Sequence, residues 1–259
     1  MSSYHFLNLS QHQGIWTIRL NRPEVYNALN AGLIHEIRYV AERAKISDEV
    51  RVLVITGEGK AFCSGADLKS GTSDSDLGAV LRATYNPMIL ALRNLDKPVI
   101  GAINGPAAGA GCSLALACDY LVAKDSAYFA ELFVQIGLTL DAGSTAFLMQ
   151  SLGYHKAFEL ASTAKKFSAQ EAKEMGLVAD VVAEEQWESR LQEIVMDFAR
   201  RPTLAIALMK RELQKAYQPD LATVLEMEAH AQREAGYSKD FQEGVKSFLE
   251  KRPPKFMGK

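Results

Sequence analysis

The stretch KPVIGAINGPAAGAGCSLALACD, residues 97–119, decides how the chain folds. From 98 to 118 it carries no charge, and about 20 apolar residues suffice to cross a bilayer. Asn104, Pro106 and the glycines at 101, 105, 109 and 111 break that run into three pieces. They read as a buried strand, a glycine-rich turn and a buried helix, not as a membrane span.

Outward from this stretch the same rhythm recurs. Residues 5–9 and 15–20 alternate polar and apolar positions about a turn at 11–14, which predicts a hairpin. Asn21-Arg22-Pro23 stops the second strand. A helix over 33–44, a strand over 50–56, a helix over 77–95, a strand over 99–103, a helix from 109 and a strand over 120–123 follow, which is an α/β pattern. Beyond 143 the strands thin out. Ser168 and Glu171 have the reciprocal spacing that caps a helix start, and a short strand is expected over 177–182. Residues 184–249 read as helical almost throughout, broken at Arg201-Pro202, Gln218-Pro219 and Gly236-Tyr237. Helices with apolar stripes and no strands of their own must bury them on the core or on another subunit. The chain therefore divides into a core, 1–198, and a C-terminal helical region, 199–259.

Composition narrows the function. The 259 residues hold 29 Lys and Arg against 31 Asp and Glu, a formal net charge of −2, so there is no general attraction to nucleic acid. With 48% hydrophobic and 23% charged residues the chain can fill a core, which excludes disorder, collagen and coiled coil. Cys63, Cys112 and Cys118 have neither disulfide nor zinc spacing, and no pair of the five histidines has metal-ligand spacing, so no metal is expected. The first 20 residues resemble neither a signal nor a transit peptide, and a cytoplasmic protein is expected.

Three features could carry chemistry. The turn over 61–68 and the turn over 104–111 each follow a strand, and backbone N–H groups at such places are left unpaired by the fold. If the turns converge, two donors could hold one developing negative charge, the second aided by the positive end of its helix. Small residues there could equally serve close packing alone. The third feature is Asp141, an acid in an otherwise uncharged stretch over 134–153. It reads as the N-cap of a helix starting near Gly143, as a carboxyl whose pKa is raised by apolar surroundings, or as both. Rival motifs fit poorly. Residues 109–111 lack the third glycine of a dinucleotide fingerprint, residues 57–60 are no P-loop, and Gly111-Cys-Ser113-Leu-Ala115 lacks the second glycine of a nucleophile elbow.

With these residues in view, Leu20-Asn21-Arg22-Pro23 with Asn27-Ala28-Leu29, the segment 61–68 and the run 97–119 resemble the crotonase (enoyl-CoA hydratase/isomerase) superfamily over nearly the whole chain. Tyr85-Asn86-Pro87, residues 107–111 and the C-terminal segments 243–245 and 256–259 resemble most its ring-epoxide isomerases of phenylacetate degradation. The resemblance implies a spiral of strand–strand–helix turns, a C-terminal helical trimerisation region giving a trimer or a dimer of trimers, and an acyl-CoA thioester substrate. Coenzyme A would be part of that substrate, with no separate cofactor. It further implies an oxyanion hole made by the N–H groups of Ala66 and Ala110.

The departures from the family choose among its reactions. The two glutamates with which its hydratases activate water correspond here to Ser113 and Phe133, and neither can do that acid–base chemistry. Asp141 falls where the ring-epoxide isomerase, dienoyl-CoA isomerase and chlorobenzoyl-CoA dehalogenase carry their catalytic aspartate. Isomerisation by a single carboxylate is thus favoured over hydration, with a hydratase or a non-catalytic CoA-binding scaffold as alternatives. Glu131 is the one nearby acid that could act second, and its simplest reading is a solvent-facing charge. For CoA the resemblance points to Arg22, Ser64, Asp67 and Lys69, with Phe248 and Lys251 supplied by a neighbouring subunit. Residues 70–83 would form the pocket wall that selects the acyl group.

Overall fold

The computed structural model describes residues 4–70, 76–217 and 220–259. Strands β1 (Leu7–His12) and β2 (Ile15–Leu20) pair antiparallel across Gln13-Gly14, both at positive φ, the conformation whose twist suits a two-residue hairpin turn. From β2 onward the main sheet is parallel, through β3 (Val52–Gly57), β4 (Val99–Ile103), β6 (Tyr120–Lys124) and β9 (Asp180–Val182), in the order β1-β2-β3-β4-β6-β9. Strand β3 is buried along its whole length, as a parallel strand covered on both faces must be. Leu53 and Ile55 face the principal core, while Val52 and Val54 join Ile100, Ala102 and Val122 against Trp187, Ile194 and Val195 of helix α7 (Trp187–Arg200) on the other side.

A second layer is a separate three-stranded sheet. It comprises β5 (Ala107–Ala108), β7 (Tyr128–Ala130) and β8 (Phe167–Ser168), extended by isolated bridges from Cys63 to Ala107 and from Leu29 to Ala66. From β3 on, the chain gives a strand to the main sheet, a short piece to the second layer and then a helix, the spiral that the family resemblance implies. The short pieces were not foreseen, because two or three residues are too few to establish a period.

Helices α1 (Ala31–Ile46), α2 (Leu77–Ala83), α3 (Tyr85–Arg93), α4 (Ala110–Leu116), α5 (Ser144–Thr163) and α6 (Ala169–Glu174) complete the core. The single helix expected over 77–95 is two. Pro87 has no N–H to give to Ala83 and its ring crowds that carbonyl, so the chain breaks at Thr84. The strand expected over 177–182 begins only at Asp180, because the Leu177 and Val178 N–H groups close the turn after α6 on the Ala172 carbonyl. Ser168 and Glu171 form the expected capping box.

The tail continues as α8 (Thr203–Lys215), α9 (Leu221–Gly236) and α10 (Lys239–Leu249). Helix α8 is anchored to the core by Lys210, which is buried, donates to the Leu92 and Lys97 carbonyls and pairs with Asp119 at 2.7 Å. No residue of helix α9 is fully buried in this chain, and Leu221, Leu225, Phe241, Phe248 and Leu249 of α9 and α10 are exposed. The expected break at Gln218-Pro219 and part of the expected pocket wall, 71–75, lie outside the described residues. Among the described residues no helix is long and apolar enough to cross a membrane.

Candidate active site

The two glycine-containing turns do converge. Gly65 sits at φ +99°, and a Cβ placed on it would stand 2.8 Å from the Ala108 oxygen and 3.4 Å from the Ala110 nitrogen. Only glycine permits both that backbone and that approach. The parallel bridge to Leu29 uses the Gly65 carbonyl and the Asp67 N–H, skipping the N–H of Ala66 between them. Ala110 is the first residue of α4, where the helix supplies no acceptor for its N–H. Among the described residues neither N–H donates to a protein acceptor. The side chains at these positions are irrelevant to such donors, so alanine serves.

Asp141 is not the cap of α5. Gly143, at φ +90°, takes that position without any side-chain bond, and it is the backbone carbonyl of Asp141 that accepts from the Ser144 N–H. The carboxyl is left half-buried, with Oδ1 shielded from solvent and without a hydrogen-bond partner. Burial pushes its pKa up to about 6. Tyr85, first residue of α3, is buried, and burial first and the charges of Asp141, Cys63 and Asp67 second push its phenol upward.

Glu131 contradicts its simplest sequence reading. It is 0% exposed, and Oε1 accepts from the Ser144 hydroxyl at 2.8 Å while Oε2 is buried and unpartnered. Burial pushes it up to about 7, against the pull of the Ser144 hydroxyl and the neighbouring Cys112 thiol, and the charge of Asp141 raises it further. Ser113, which with Phe133 the family resemblance would place among the substrate-binding residues, also departs from expectation. It is wholly buried, its hydroxyl 2.8 Å from that of Ser144 and 3.4 Å from the Gly109 carbonyl, so it lines no surface that a bound molecule could touch. With His155 exposed on α5, Ser113 has no base beside it either, which removes the nucleophile-elbow reading. Phe133, in the short 3-10 turn Leu132–Ile136, is buried and apolar.

The residues expected around CoA gather in part. Arg22 reaches the Ala28 carbonyl and pairs with Asp67 at 2.8 Å, holding that carboxyl below the usual carboxylate range. Asn27, buried and at positive φ, ties this corner together by accepting from the Arg22 N–H and donating to the Glu58 and Ala61 carbonyls. Ser64 and Lys69 are exposed on the adjoining turn, with the Ser64 hydroxyl on the Val25 carbonyl. Phe248, 82% exposed, and Lys251 lie at the far end of α10, and no hydrogen bond or ion pair among the described residues joins them to this corner. Among the described residues no group of three or more His, Cys, Asp or Glu is placed to hold a metal. Sequence reading missed Ser144, which nothing local distinguishes from any serine at a helix start.

Comparison with known proteins places the chain in a family. A family model described as enoyl-CoA hydratase/isomerase matches residues 10–259. A Rhodobacter capsulatus protein named probable enoyl-CoA hydratase is 42% identical over 99% of this chain and 100% of its own length. The 1,2-epoxyphenylacetyl-CoA isomerase of Escherichia coli is 38% identical over 95% of this chain and 96% of its own. Among solved structures, an enoyl-CoA hydratase from Bacillus anthracis superposes with a TM-score of 0.93 at 34% identity, covering 98% of this chain and all of that one.

Proposed function

Because the chain belongs to the enoyl-CoA hydratase/isomerase family, we propose that it is an acyl-CoA isomerase in which Asp141 moves a proton between two carbons of the acyl group. The observation that carries this reading is the carboxyl of Asp141, raised by burial and unpartnered at Oδ1, on a wall whose hydratase positions hold an apolar Phe133 and an enclosed Ser113.

The thioester carbonyl accepts from the Ala66 and Ala110 N–H groups, which acidifies the adjacent carbon. Asp141 takes a proton, electrons move onto the thioester oxygen as a dienolate, and the same carboxyl returns the proton at the other end of the conjugated system. The double bond has then moved, with no net gain or loss of water. For a ring epoxide, as in the substrate named for the E. coli relative, the same electrophilic pull would open the strained ring. Coenzyme A enters as part of the substrate, and the shuttle calls on no separate cofactor. Arg22, Ser64, Asp67 and Lys69 would form its binding corner, with Phe248 and Lys251 brought by a neighbouring subunit of a trimer. The uncovered apolar residues of α9 and α10 support that assembly.

A panel of enoyl-, dienoyl- and ring-epoxide CoA thioesters, assayed in parallel for isomerisation and hydration, tests the reading. Isomerised product from at least one class, with hydration at least tenfold slower, is expected. Hydration as the dominant reaction would favour the hydratase named among its relatives. Binding without turnover would favour a scaffold.

A further inference from the structure

The buried side chains behind the oxyanion turn form one connected line. Glu131 Oε1 meets the Ser144 hydroxyl at 2.8 Å, that hydroxyl meets Ser113 at 2.8 Å, and Ser113 reaches the Gly109 carbonyl at 3.4 Å. All three side chains are fully buried, so no solvent breaks the line. Its far end has chemical meaning, because the Gly109 carbonyl and the Ala110 N–H belong to the same peptide group.

Each hydroxyl has one proton to give, so the line can point only one way at a time. If Glu131 is ionised it accepts from Ser144, Ser144 must then accept from Ser113, and Ser113 has no proton left for Gly109. If Glu131 is protonated it can donate to Ser144, Ser144 to Ser113, and Ser113 to the Gly109 carbonyl. Only hydroxyl rotations separate the two arrangements beyond the single proton on Glu131. The Gly109 carbonyl already accepts from the Cys112 N–H at 2.8 Å and the Ser113 N–H at 3.1 Å, and the longer bond from the Ser113 hydroxyl adds to these, polarising the amide further and making its N–H a stronger donor.

We propose that Glu131 is a positioning residue for the oxyanion hole: uncharged, it turns the Ser144 and Ser113 hydroxyls toward the Gly109 carbonyl and so strengthens the Ala110 N–H that receives the thioester oxygen. This rests on the isomerase reading above and deepens it. The titratable groups acting on Glu131 are Cys112 of α4 and Asp141 ahead of α5, with Tyr85 of α3 facing Asp141. The Cys112 thiol is itself pushed upward by burial and by Glu131, so it stays neutral. An ionised Asp141 raises Glu131, which ties the working state of the base to the working state of the hole.

The test uses phenylacetyl-CoA as a probe of the hole and follows its thioester C=O stretch by infrared difference spectroscopy between about pH 6 and about pH 8.5, alongside kcat on a 3-enoyl-CoA. In the wild type the bound carbonyl should be most strongly polarised at the acid end, relaxing as Glu131 ionises near 7, and kcat should fall on the alkaline side. Glu131→Gln, a permanent neutral donor, should hold the stretch constant with pH and abolish the alkaline fall, keeping the acid limb set by Asp141. Ser113→Ala cuts the line without touching the carboxyl. It should leave the stretch pH-independent at the relaxed value and lower kcat severalfold. A wild-type stretch that does not change with pH, or a Glu131→Gln variant that keeps the wild-type alkaline fall, overturns the proposal even if Glu131→Ala unfolds. Should neither phenylacetyl-CoA nor any thioester of the panel bind, the isomerase reading fails first and takes this inference with it. Loss of turnover in Asp141→Asn with no effect at Glu131 leaves that reading standing and this inference overturned.

Discussion

Asp141 and Glu131 are both carboxyls raised by burial, and the proposed roles call for them in opposite states. Asp141 acts as a base only when ionised, so the rate is expected to rise with pH through about 6, and Asp141→Asn should remove that limb while lowering kcat by about 10²- to 10⁴-fold. Glu131 is lifted from 4.5 to about 7, so its neutral form favours the fold fully below about pH 4.5, and that advantage is lost as pH rises through about 7. Chemical denaturation should therefore find Glu131→Gln gaining on the wild type across that window, by on the order of 3 kcal/mol. Equal stabilities at both ends would mean Glu131 is not held neutral. Gly65→Ala is expected to lose about 1–3 kcal/mol, because both its φ and the nearby Ala108 oxygen exclude a Cβ. Steady-state kinetics should also show kcat falling roughly 10²-fold as the Ala66 N–H shifts off target. At this scale the two turns and the lone acid in an uncharged stretch stood out in the sequence, but it was the family resemblance that singled out Ala66, Ala110 and Asp141. The burial of Glu131 was not legible. What buries it is Ser144, thirteen residues further on, together with α4, and a sequence shows no such contact.

The elements that carry the site are the ones hardest to read. The long strands and α1 announced themselves by period, whereas the second layer, which places Ala66, Ala110 and Glu131 side by side, is built from pieces of two or three residues. The split between α2 and α3 was legible in principle from Pro87, but the run of apolar residues on either side reads as one continuous helix. Helix α8 shows how the tail is joined to this frame. Asp119 accepts from the Val99 N–H and holds both Lys210, at 2.7 Å, and Arg93, at 3.5 Å. Asp119→Ala would strand the buried ammonium and is expected to cost about 3–5 kcal/mol, whereas Lys210→Met leaves Asp119 with Arg93 and should cost far less. Denaturant titration of the two variants checks the order, and equal losses would refute this account of the anchor.

The whole molecule leaves an apolar face uncovered on α9 and α10, and the expectation that the tail must bury its stripes somewhere is met within the chain for α7 and α8. Light scattering is expected to give three or six times the 28.5 kDa of one chain, and Leu225→Glu should dissociate the assembly and weaken substrate binding together. A monomeric wild type would leave Phe248 and Lys251 no site to complete. The central claim, that one carboxyl carries a proton from carbon to carbon, is tested most directly by following a 3-enoyl-CoA in D₂O by NMR with the wild type and with Asp141→Asn. The wild type should move the double bond and, between turnovers, wash deuterium into the acyl carbons flanking it, while Asp141→Asn does neither yet still binds the thioester. Deuterium exchange that continues undiminished in Asp141→Asn would contradict the account.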